Sequence, residues 1–570
     1  MNLPYRRRPK RIATLLCAAL LLAPGSWPVA RAQSPNALPS LGDSVSEDLS
    51  AGSERQIGEQ IMREIRRDPD YLDDPVLLEY LQSIWQPLLA AARANGNIGT
   101  EIDLRYPFEP FLVRDRTVNA FALPGGFVGV HLGLIAITSS RDELAGVLAH
   151  ELSHVTQRHI ARSIAPSRQA SILGVVTTIL GVLAASRSSS PGAANAVIAG
   201  GQAAAIQTQL NFSRDMEREA DRVGFGVMTE AGYSAAGMAQ MFEKLDRSSH
   251  LNDAGNYPYL RSHPLTFERI GEARARMGTG KAPPATGSLL EHATMQARAR
   301  VLMDPRIESL RRLEGLDARA AQTAGSDGSQ RQAADPAVEQ LPDVLVLGVG
   351  GSRAERLGVA YAGAFAATLL RNWGQADTAL ALAHTLAAAP ADERALRQVR
   401  LLQAQSMVER GDPVRAAAAL APLGKEASRP VLLLQAQVAL AAAGQAAGAA
   451  VVDPASPAAA ALRASADGLQ TWVATQPQDA TAWKTLGQVW ARLGQPLRAL
   501  RADAESQLAL GDVQGAIDRL RAAQRLARSG GQVDFIEASV VDARLRNIEA
   551  QRRALLAADD RRRGGAEPPP

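Results

Sequence analysis

The sequence of 570 residues predicts a mainly α-helical protein, in which an α+β domain with a small β-sheet precedes an α-helical repeat region. Three observations predict this architecture. Apolar residues recur at helical spacing in residues 51–95, and extended segments fill residues 104–135. Beyond residue 353 the chain is rich in Ala and Leu, which are strong helix formers. Since a typical domain takes about 100–200 residues, the length accommodates two or more domains.

The formal net charge of +4 comes from the N-terminus. The first 32 residues contain six basic and no acidic side chains, and the rest of the chain has 56 basic and 58 acidic side chains, a net charge of −2. A chain without a basic surplus has no global electrostatic attraction for nucleic acid. We therefore expect no nucleic-acid partner.

The N-terminus has the pattern of a secretory signal peptide. Basic residues at 6–11 precede an apolar run at 12–23, and Ala30-Arg31-Ala32 matches an A-x-A cleavage site. The apolar run is shorter than the ~20 residues of an ordinary membrane span. We expect export with cleavage after Ala32, and an uncleaved membrane anchor is the alternative.

Composition divides the remaining chain into domains and connecting segments. Residues 33–50 are rich in Ser, Pro, Asn and Gly and are expected to form a flexible leader. A linker is expected at residues 306–352. The first domain then occupies residues 51–305 and the helical domain residues 353–555, with a disordered tail at 556–570.

The helical domain contains recurrent glycines that predict tetratricopeptide repeats. Gly374, Gly411, Gly444 and Gly494 are separated by 37, 33 and 50 residues, which brackets the repeat period of about 34 residues. Each glycine is expected to let the chain turn between two helices. The clearest repeat begins at Trp483-x-x-Leu-Gly-x-x-Trp490. The alternative is an Ala-rich helical bundle without repeats.

Two helices of the first domain have start signals in the sequence. Ser140 and Glu143 fit a capping box at the start of one helix. Ser213 is the expected N-cap of the other, and Gly232 lies near its end.

The first of these helices carries the motif His150-Glu151-Leu152-Ser153-His154. Two histidines at positions i and i+4 project from one helix face and can bind one Zn²⁺. Glu151 is rotated by about 100° from His150, so it can act as general base toward a water that the zinc ion activates. The alternative is a histidine pair on an ordinary helix.

The second helix offers a third metal ligand. Glu217 and Asp221 share one helix face at i and i+4 spacing. Glu217 can bind the metal while Asp221 accepts a hydrogen bond from a ligand imidazole. Glu219 points elsewhere and is expected to be solvated, and we expect Arg158 and His159 to be structural. Alternatively, Glu217 and Asp221 only pair with neighbouring arginines.

These residues resemble the gluzincin metallopeptidases, the family of HtpX, the CAAX prenyl proteases and the exported M48-type β-barrel assembly-enhancing proteases. The resemblance spans residues 50–300 and, through the repeats, reaches almost to the C-terminus. It rests on four motifs in order, Val118-Asn-Ala-Phe-Ala-Leu-Pro-Gly-Gly126, Leu148-Ala-His-Glu-Leu-Ser-His154, Ser213-Arg214…Glu217-Arg-Glu-Ala-Asp221-Arg-Val-Gly224 and Ser262-His263-Pro264. It implies a zincin-type metalloprotease fold followed by a tetratricopeptide-repeat solenoid.

The resemblance also implies roles for individual residues. One Zn²⁺ per chain would be bound by His150, His154 and Glu217, with Glu151 as general base and Asp221 supporting a ligand. An edge strand beside the cleft would bind an extended substrate by β-augmentation. Its residues are Asn119, Ala120, Phe121, Ala122 and Leu123.

In this family a histidine in a Ser-His-Pro loop can cap the metal and keep the enzyme latent, and the matching residue is His263. The alternative is a loop histidine without a regulatory role. The apolar stretch Ile172–Ala185 lies where membrane members of the family span the bilayer. At about 14 residues it is too short to do so, and we expect it to pack in the core or to cover the cleft.

The expected function is that of a periplasmic zinc endopeptidase that degrades misfolded or stalled outer-membrane proteins. The repeats would bind these clients, or the β-barrel assembly machinery as a second partner, and peripheral membrane association is left open. The alternative function is a chaperone or scaffold that acts mainly through its repeats and keeps the protease latent.

Overall fold

The structure, a computed structural model, describes residues 50–164, 213–251, 258–277, 286–323, 351–447, 451–529 and 534–564. The predictions for the signal peptide, for the leader up to residue 49 and for the apolar stretch 172–185 lie outside these residues. Among the helices that the structure describes, none has the length and apolar character needed to cross a membrane.

The first part of the chain combines helices with a small sheet. Its elements are α1 Ala51–Ile65, β1 Tyr71–Leu72, α2 Pro75–Ala94, α3 Thr100–Arg105, β2 Glu109–Val113, β3 Ala120–Leu123, β4 Phe127–His131, α4 Leu132–Ile137, α5 Arg141–Thr156, α6 His159–Ile164, α7 Arg214–Glu230, α8 Ala236–Leu251, α9 Pro258–Ser262, α10 Phe267–Met277 and α11 Leu289–Met303.

Within the described ranges, the sheet has four strands in the order β1-β2-β4-β3. Strands β2 and β4 are parallel, and the other two pairs are antiparallel. Gly125 and Gly126 turn the chain between β3 and β4 with φ angles of +76° and +94°, which side chains other than glycine rarely adopt. The strand order places β3 at one edge of this sheet, and α5 packs against β3.

Helix α5 is the central element of the first part, and all of its residues are buried. Ser140 caps it by accepting a hydrogen bond from the Glu143 amide, at 3.2 Å. The Glu143 carboxylate accepts from the Ser139 amide, at 2.7 Å, and not from Ser140, so the reciprocal half of the predicted capping box is wrong. Helix α7 approaches α5 at Gly224, where a Cβ would lie 3.0 Å from the Ala149 carbonyl oxygen.

The second part of the described chain is helical. Its elements are α12 Ile307–Thr323, α13 Arg353–Leu369, α14 Trp373–Ala388, α15 Glu393–Glu409, α16 Pro413–Leu420, a 3-10 turn at Ala421–Leu423, α17 Arg429–Ala447, α18 Pro457–Thr475, α19 Ala480–Arg492, α20 Pro496–Ala509, α21 Val513–Arg528 and α22 Phe535–Gly564.

Two boundary predictions differ from these elements. Helix α12 lies inside the predicted linker 306–352, because Leu310 is buried in a cluster with Leu357 of α13. Residues 307–323 of the predicted linker are therefore helical. Helix α22 continues to Gly564, into the predicted tail at residues 556–570, and the domain bounds stay a prediction.

Consecutive helices from α13 to α21 pack against one another. Gly411 and Gly494 have φ angles of +79° and +72° and follow helix ends, as the turn prediction requires. Gly374 and Gly444 lie inside α14 and α17, so the turn role predicted for them is wrong. Arg371, with a φ of +58°, takes the turn before α14. The tetratricopeptide assignment stays a prediction.

The helical part shares its core with the first part. Leu401, Leu420 and Val431 belong to the same buried cluster as Leu77 and Leu81 of α2. Half-buried ion pairs cross the same boundary, Arg397 with Glu79 and Arg429 with Asp73. The Arg429 side chain lies 2.7 Å from Asp73 and 2.6 Å from Asp479. Apolar burial and ion pairs thus hold the helical part against the first part.

We expect the Arg298 side chain to stabilise this packing. Its guanidinium donates two hydrogen bonds, at 2.8 and 2.7 Å, to the buried Asp74 carboxylate and lies 4.7 Å from the Phe365 ring centroid. Because Arg298→Met leaves Asp74 buried without a cation, it should lower the free energy of unfolding by about 3–5 kcal/mol, measured by urea denaturation. Arg93→Met, which removes the exposed pair with Asp103, is the control and should cost under about 1 kcal/mol. Equal losses in the two variants would contradict this expectation.

Candidate metal centre

Four potential ligands from three separate segments converge in the first part. One donor atom from each of His150, His154, Glu217 and His263 lies within 4.8 Å of the others, and all four residues are buried. Helix α5 supplies the first two, α7 supplies Glu217, and the residue after α9 is His263. The structure therefore brings together the three predicted ligands and the predicted regulatory histidine.

The hydrogen-bond partners of the two α5 histidines select which nitrogen faces the centre. Nδ1 of His150 lies 2.9 Å from Oδ1 of Asp221, and Nδ1 of His154 lies 2.9 Å from Nδ1 of His159. The two Nε2 atoms are 3.0 Å apart and face each other. Partners on Nδ1 leave Nε2 of each ring available to a metal, which is the arrangement expected for ligand histidines.

The Glu217 carboxylate divides its two oxygens between different neighbours. Oε1 is 3.5 Å from Nε2 of His154 and 3.0 Å from Nδ1 of His263. Oε2 is 3.5 Å from Nε2 of His150 and 2.8 Å from Nη1 of Arg269. Each oxygen therefore lies 3.5 Å from Nε2 of one α5 histidine, and Oε2 is the one that also contacts Arg269.

Asp221 lies behind His150, one turn after Glu217 on α7. It accepts two hydrogen bonds from Arg269, at 2.7 and 2.9 Å, in addition to its contact with His150. Burial alone would raise the pKa of Asp221, but the hydrogen bonds from Arg269 and His150 lower it. Asp221 therefore stays ionised and can orient the His150 ring. Arg269 is not among the site residues predicted from the sequence.

The His263 side chain contacts both the ligands and Glu151. Its Nδ1 is 3.3 Å from Nε2 of His150, and its Nε2 is 3.5 Å from Oε1 of Glu151. The Tyr259 ring stacks on it, with the ring centroids 4.6 Å apart at 28°. His263 thus occupies the space between the ligand histidines and Glu151.

Glu151 is fully buried beside the centre. Neither of its carboxylate oxygens has a hydrogen bond of good geometry within the described residues. Burial raises the pKa of Glu151, and the nearby His263 and His150 oppose this rise. A buried carboxylate with a raised pKa is suited to accept and return a proton.

The structure corrects the expectations for the residues around His154. Glu219 is not solvated, because it contacts Nε2 of His159 at 3.1 Å and accepts from Arg162 at 2.7 Å. The His159 and Arg162 hydrogen bonds lower the pKa of Glu219 to about 2. His159 thus links Glu219 to a ligand histidine, a role beyond the structural one we expected. Arg158 pairs with the buried Glu54, at 3.0 Å, as a structural residue would.

The net charge of the residues at this centre indicates whether a metal ion fits the site. Glu151, Glu217 and Asp221 are buried carboxylates, and the guanidinium in contact with two of them is Arg269. With the histidines neutral and the carboxylates ionised, this group carries a net charge of −2, which is costly in a dry interior. A divalent cation would neutralise it, and imidazole with carboxylate donors suits Zn²⁺. The donor set therefore fits a zinc ion.

The residues predicted to bind substrate lie on and next to the edge strand β3. Phe121 and Ala122 are half-buried, whereas Ala120 and Leu123 are buried. Asn119 precedes the strand, and its buried Oδ1 has no hydrogen-bond partner among the residues that the structure describes. The strand packs against α5, which carries Glu151.

Comparison with known proteins agrees with this geometry. Residues 80–277 match Peptidase family M48. The chain is 34% identical over 284 residues to the beta-barrel assembly-enhancing protease of Yersinia pestis, covering 49% of this chain and 55% of that protein. It is 33% identical over 273 residues to the protein of the same name from Escherichia coli K12, covering 48% of this chain and 53% of that protein. The mitochondrial metalloendopeptidase OMA1 of Schizosaccharomyces pombe is 29% identical to this chain over 229 residues, covering 39% of this chain and 60% of OMA1. The chain thus spans about half the length of the curated relatives it matches.

We expect purified protein to contain about one zinc ion per chain, and His150→Ala to lose it, because the substitution removes one of the ligands. Metal content is measured by elemental mass spectrometry after dialysis. His384 is exposed on α14, so His384→Ala is the matched control and should retain the metal. Retention of zinc by His150→Ala would contradict the assignment.

Proposed function

We propose that this chain, which contains a metallopeptidase domain of family M48 at residues 80–277, is a zinc-dependent endopeptidase. The observation that carries the proposal is the convergence of His150, His154 and Glu217 with Glu151 directly beside them. Relatives named as metalloendopeptidases support the same activity. The domain match covers only part of the chain, so the activity of the whole protein is our inference.

The residues of the centre suggest how hydrolysis proceeds. Zinc at this centre supplies Lewis-acid polarisation of the scissile carbonyl and lowers the pKa of water. Glu151 then accepts a proton from the attacking water and delivers it to the leaving amine nitrogen. Asp221 holds His150 in the tautomer that leaves Nε2 for the metal.

We propose that strand β3 aligns the substrate. Among the strands that the structure describes, β3 is the last of the sheet and has a neighbouring strand on one side only, so an extended peptide can pair with its other edge. Recognition through backbone hydrogen bonds accepts many sequences. The buried Oδ1 of Asn119 offers an additional acceptor for a substrate N–H. Residues Asn119 to Leu123 are therefore the proposed substrate-binding segment.

The position of His263 supports a latent resting state. Its Nδ1 completes the four-donor set, and its Nε2 lies 3.5 Å from Glu151. A catalytic zinc site needs one position open for water or substrate, and a fourth protein ligand closes that position. Movement of the Ser262–Pro264 loop would then activate the enzyme.

The substrates and location follow from the relatives and the N-terminal sequence. Proteins named beta-barrel assembly-enhancing protease suggest that misfolded or stalled outer-membrane proteins are the clients. The export pattern of the first 32 residues suggests the periplasm. We propose that the helical part binds clients or the β-barrel assembly machinery, as extended helical surfaces do in repeat proteins.

Glu151→Gln should abolish cleavage of an unfolded protein such as casein, because an amide cannot accept the proton from water. A loss of about 100-fold or more in kcat is expected, since general-base catalysis contributes about 10²–10⁴-fold. The variant should still bind zinc, and Glu230→Gln, at an exposed residue of α7, is the control. Equal cleavage by wild type and Glu151→Gln would remove the mechanism. Client folding that persists in Glu151→Gln would favour the chaperone or scaffold function.

His263→Ala should raise the rate of casein cleavage, because it frees the fourth coordination position. The measurement compares initial rates at equal zinc occupancy, so that a change in metal content does not enter. A chelator should abolish the activity of both proteins. An unchanged or lower rate at full zinc occupancy would contradict the gating role.

A further inference from the structure

Arg269 is a buried cation that contacts both acidic residues of α7 at the metal centre. It is 4% exposed and lies on α10, an element that supplies no metal ligand. The distances given above place its Nε and Nη2 on Asp221 and its Nη1 on Oε2 of Glu217. Its Cζ lies over the Phe242 ring on α8, 5.1 Å from the ring centroid. The hydrogen bonds to Asp221 and the contacts with Glu217 and Phe242 therefore hold the guanidinium in place.

A fixed guanidinium determines which oxygen of Glu217 faces the centre. An ionised carboxylate can rotate and can bind a metal through one or both oxygens. Both oxygens lie 3.5 Å from Nε2 of an α5 histidine, but only Oε2 is engaged by Arg269, which leaves Oε1, beside His154 and His263, as the oxygen available to a metal. Through Asp221, the same guanidinium also supports the orientation of the His150 ring.

Arg269 also contacts the loop that carries His263. Its Nη1 donates a hydrogen bond, at 2.9 Å, to the carbonyl oxygen of Pro264, the residue after His263. The loop is held on its other side by the Tyr259 amide, which donates to the Val118 carbonyl at 3.4 Å. One side chain therefore joins two carboxylates of the centre to the backbone of the loop.

We propose that Arg269 is a positioning residue of the metal centre, which presents Oε1 of Glu217 and the Asp221-supported His150 to the metal and ties the His263 loop to them. This inference rests on the proposed function, because it assumes that the centre binds zinc. A role in charge balance alone would need only a positive charge. A positioning role needs the planar fork of arginine, which lysine cannot supply.

The test measures zinc affinity by competition with a fluorescent chelator, which does not depend on peptidase activity. Arg269→Gln should weaken zinc binding by about 10–100-fold, as loss of a residue that orients metal ligands typically does. Arg269→Lys keeps the charge and protects the fold if the glutamine variant unfolds, and it should also bind more weakly than wild type. Arg274→Gln, on the exposed side of α10, is the matched control and should bind as wild type does.

Two further measurements separate positioning from a general loss of structure. In the Glu217→Gln background, Arg269→Gln should cause a smaller additional loss of affinity than in wild type, because the oriented carboxylate is already absent. The visible absorption of the Co²⁺-substituted protein should change in Arg269→Lys, because it depends on the ligands and their geometry. Hydrogen exchange at residues 262–266 should accelerate in Arg269→Lys and not in Arg274→Gln.

The outcomes distinguish this inference from the proposed function. Wild-type protein that binds no zinc would overturn the proposed function itself. Wild-type protein that binds zinc, together with unchanged affinity in both Arg269 variants, would overturn the positioning role alone. Full additivity with Glu217→Gln, or wild-type affinity and Co²⁺ absorption in Arg269→Lys, would reduce Arg269 to charge balance and overturn the inference.

Discussion

The first part of this protein depends on how it buries three carboxylates, from Glu151, Glu217 and Asp221, in one small volume. Carboxylates at this depth need compensating charge, and the guanidinium of Arg269 supplies only part of it. Three histidines that direct a ring nitrogen into the same volume make a divalent cation the natural complement. The electrostatics of the site thus explain both the ligand set and the buried arginine beside it.

Helix packing brings these groups together. Because every residue of α5 is buried, its histidines cannot face solvent and must be satisfied by neighbouring elements. Gly224 lets α7 approach the backbone of α5 closely, which places Glu217 and Asp221 opposite the two histidines. The helical part packs on the same core through α2, so its position relative to the centre is determined by burial and by the ion pair of Asp73 with Arg429.

In the proposed enzyme, one arrangement explains both activity and latency. The atoms that would activate water lie within contact distance of His263, so the loop and the substrate compete for one position. Arg269 contacts Pro264 in that loop as well as the two carboxylates of α7. Displacement of the loop would therefore act on the two carboxylates of α7 through Arg269, without movement of α5.

The sequence alone determined the features that depend on a single helix. The helical period places residues i and i+4 on one face, which paired His150 with His154 and Glu217 with Asp221. The side-chain chemistry of serine identified the helix caps at Ser140 and Ser213. Only the tertiary structure revealed Arg269, the contacts of His159 and Glu219, and helix α12 within the expected linker. Helical periodicity is a local property of the backbone, whereas these features depend on which distant helices pack together, and spacing along the chain does not encode that.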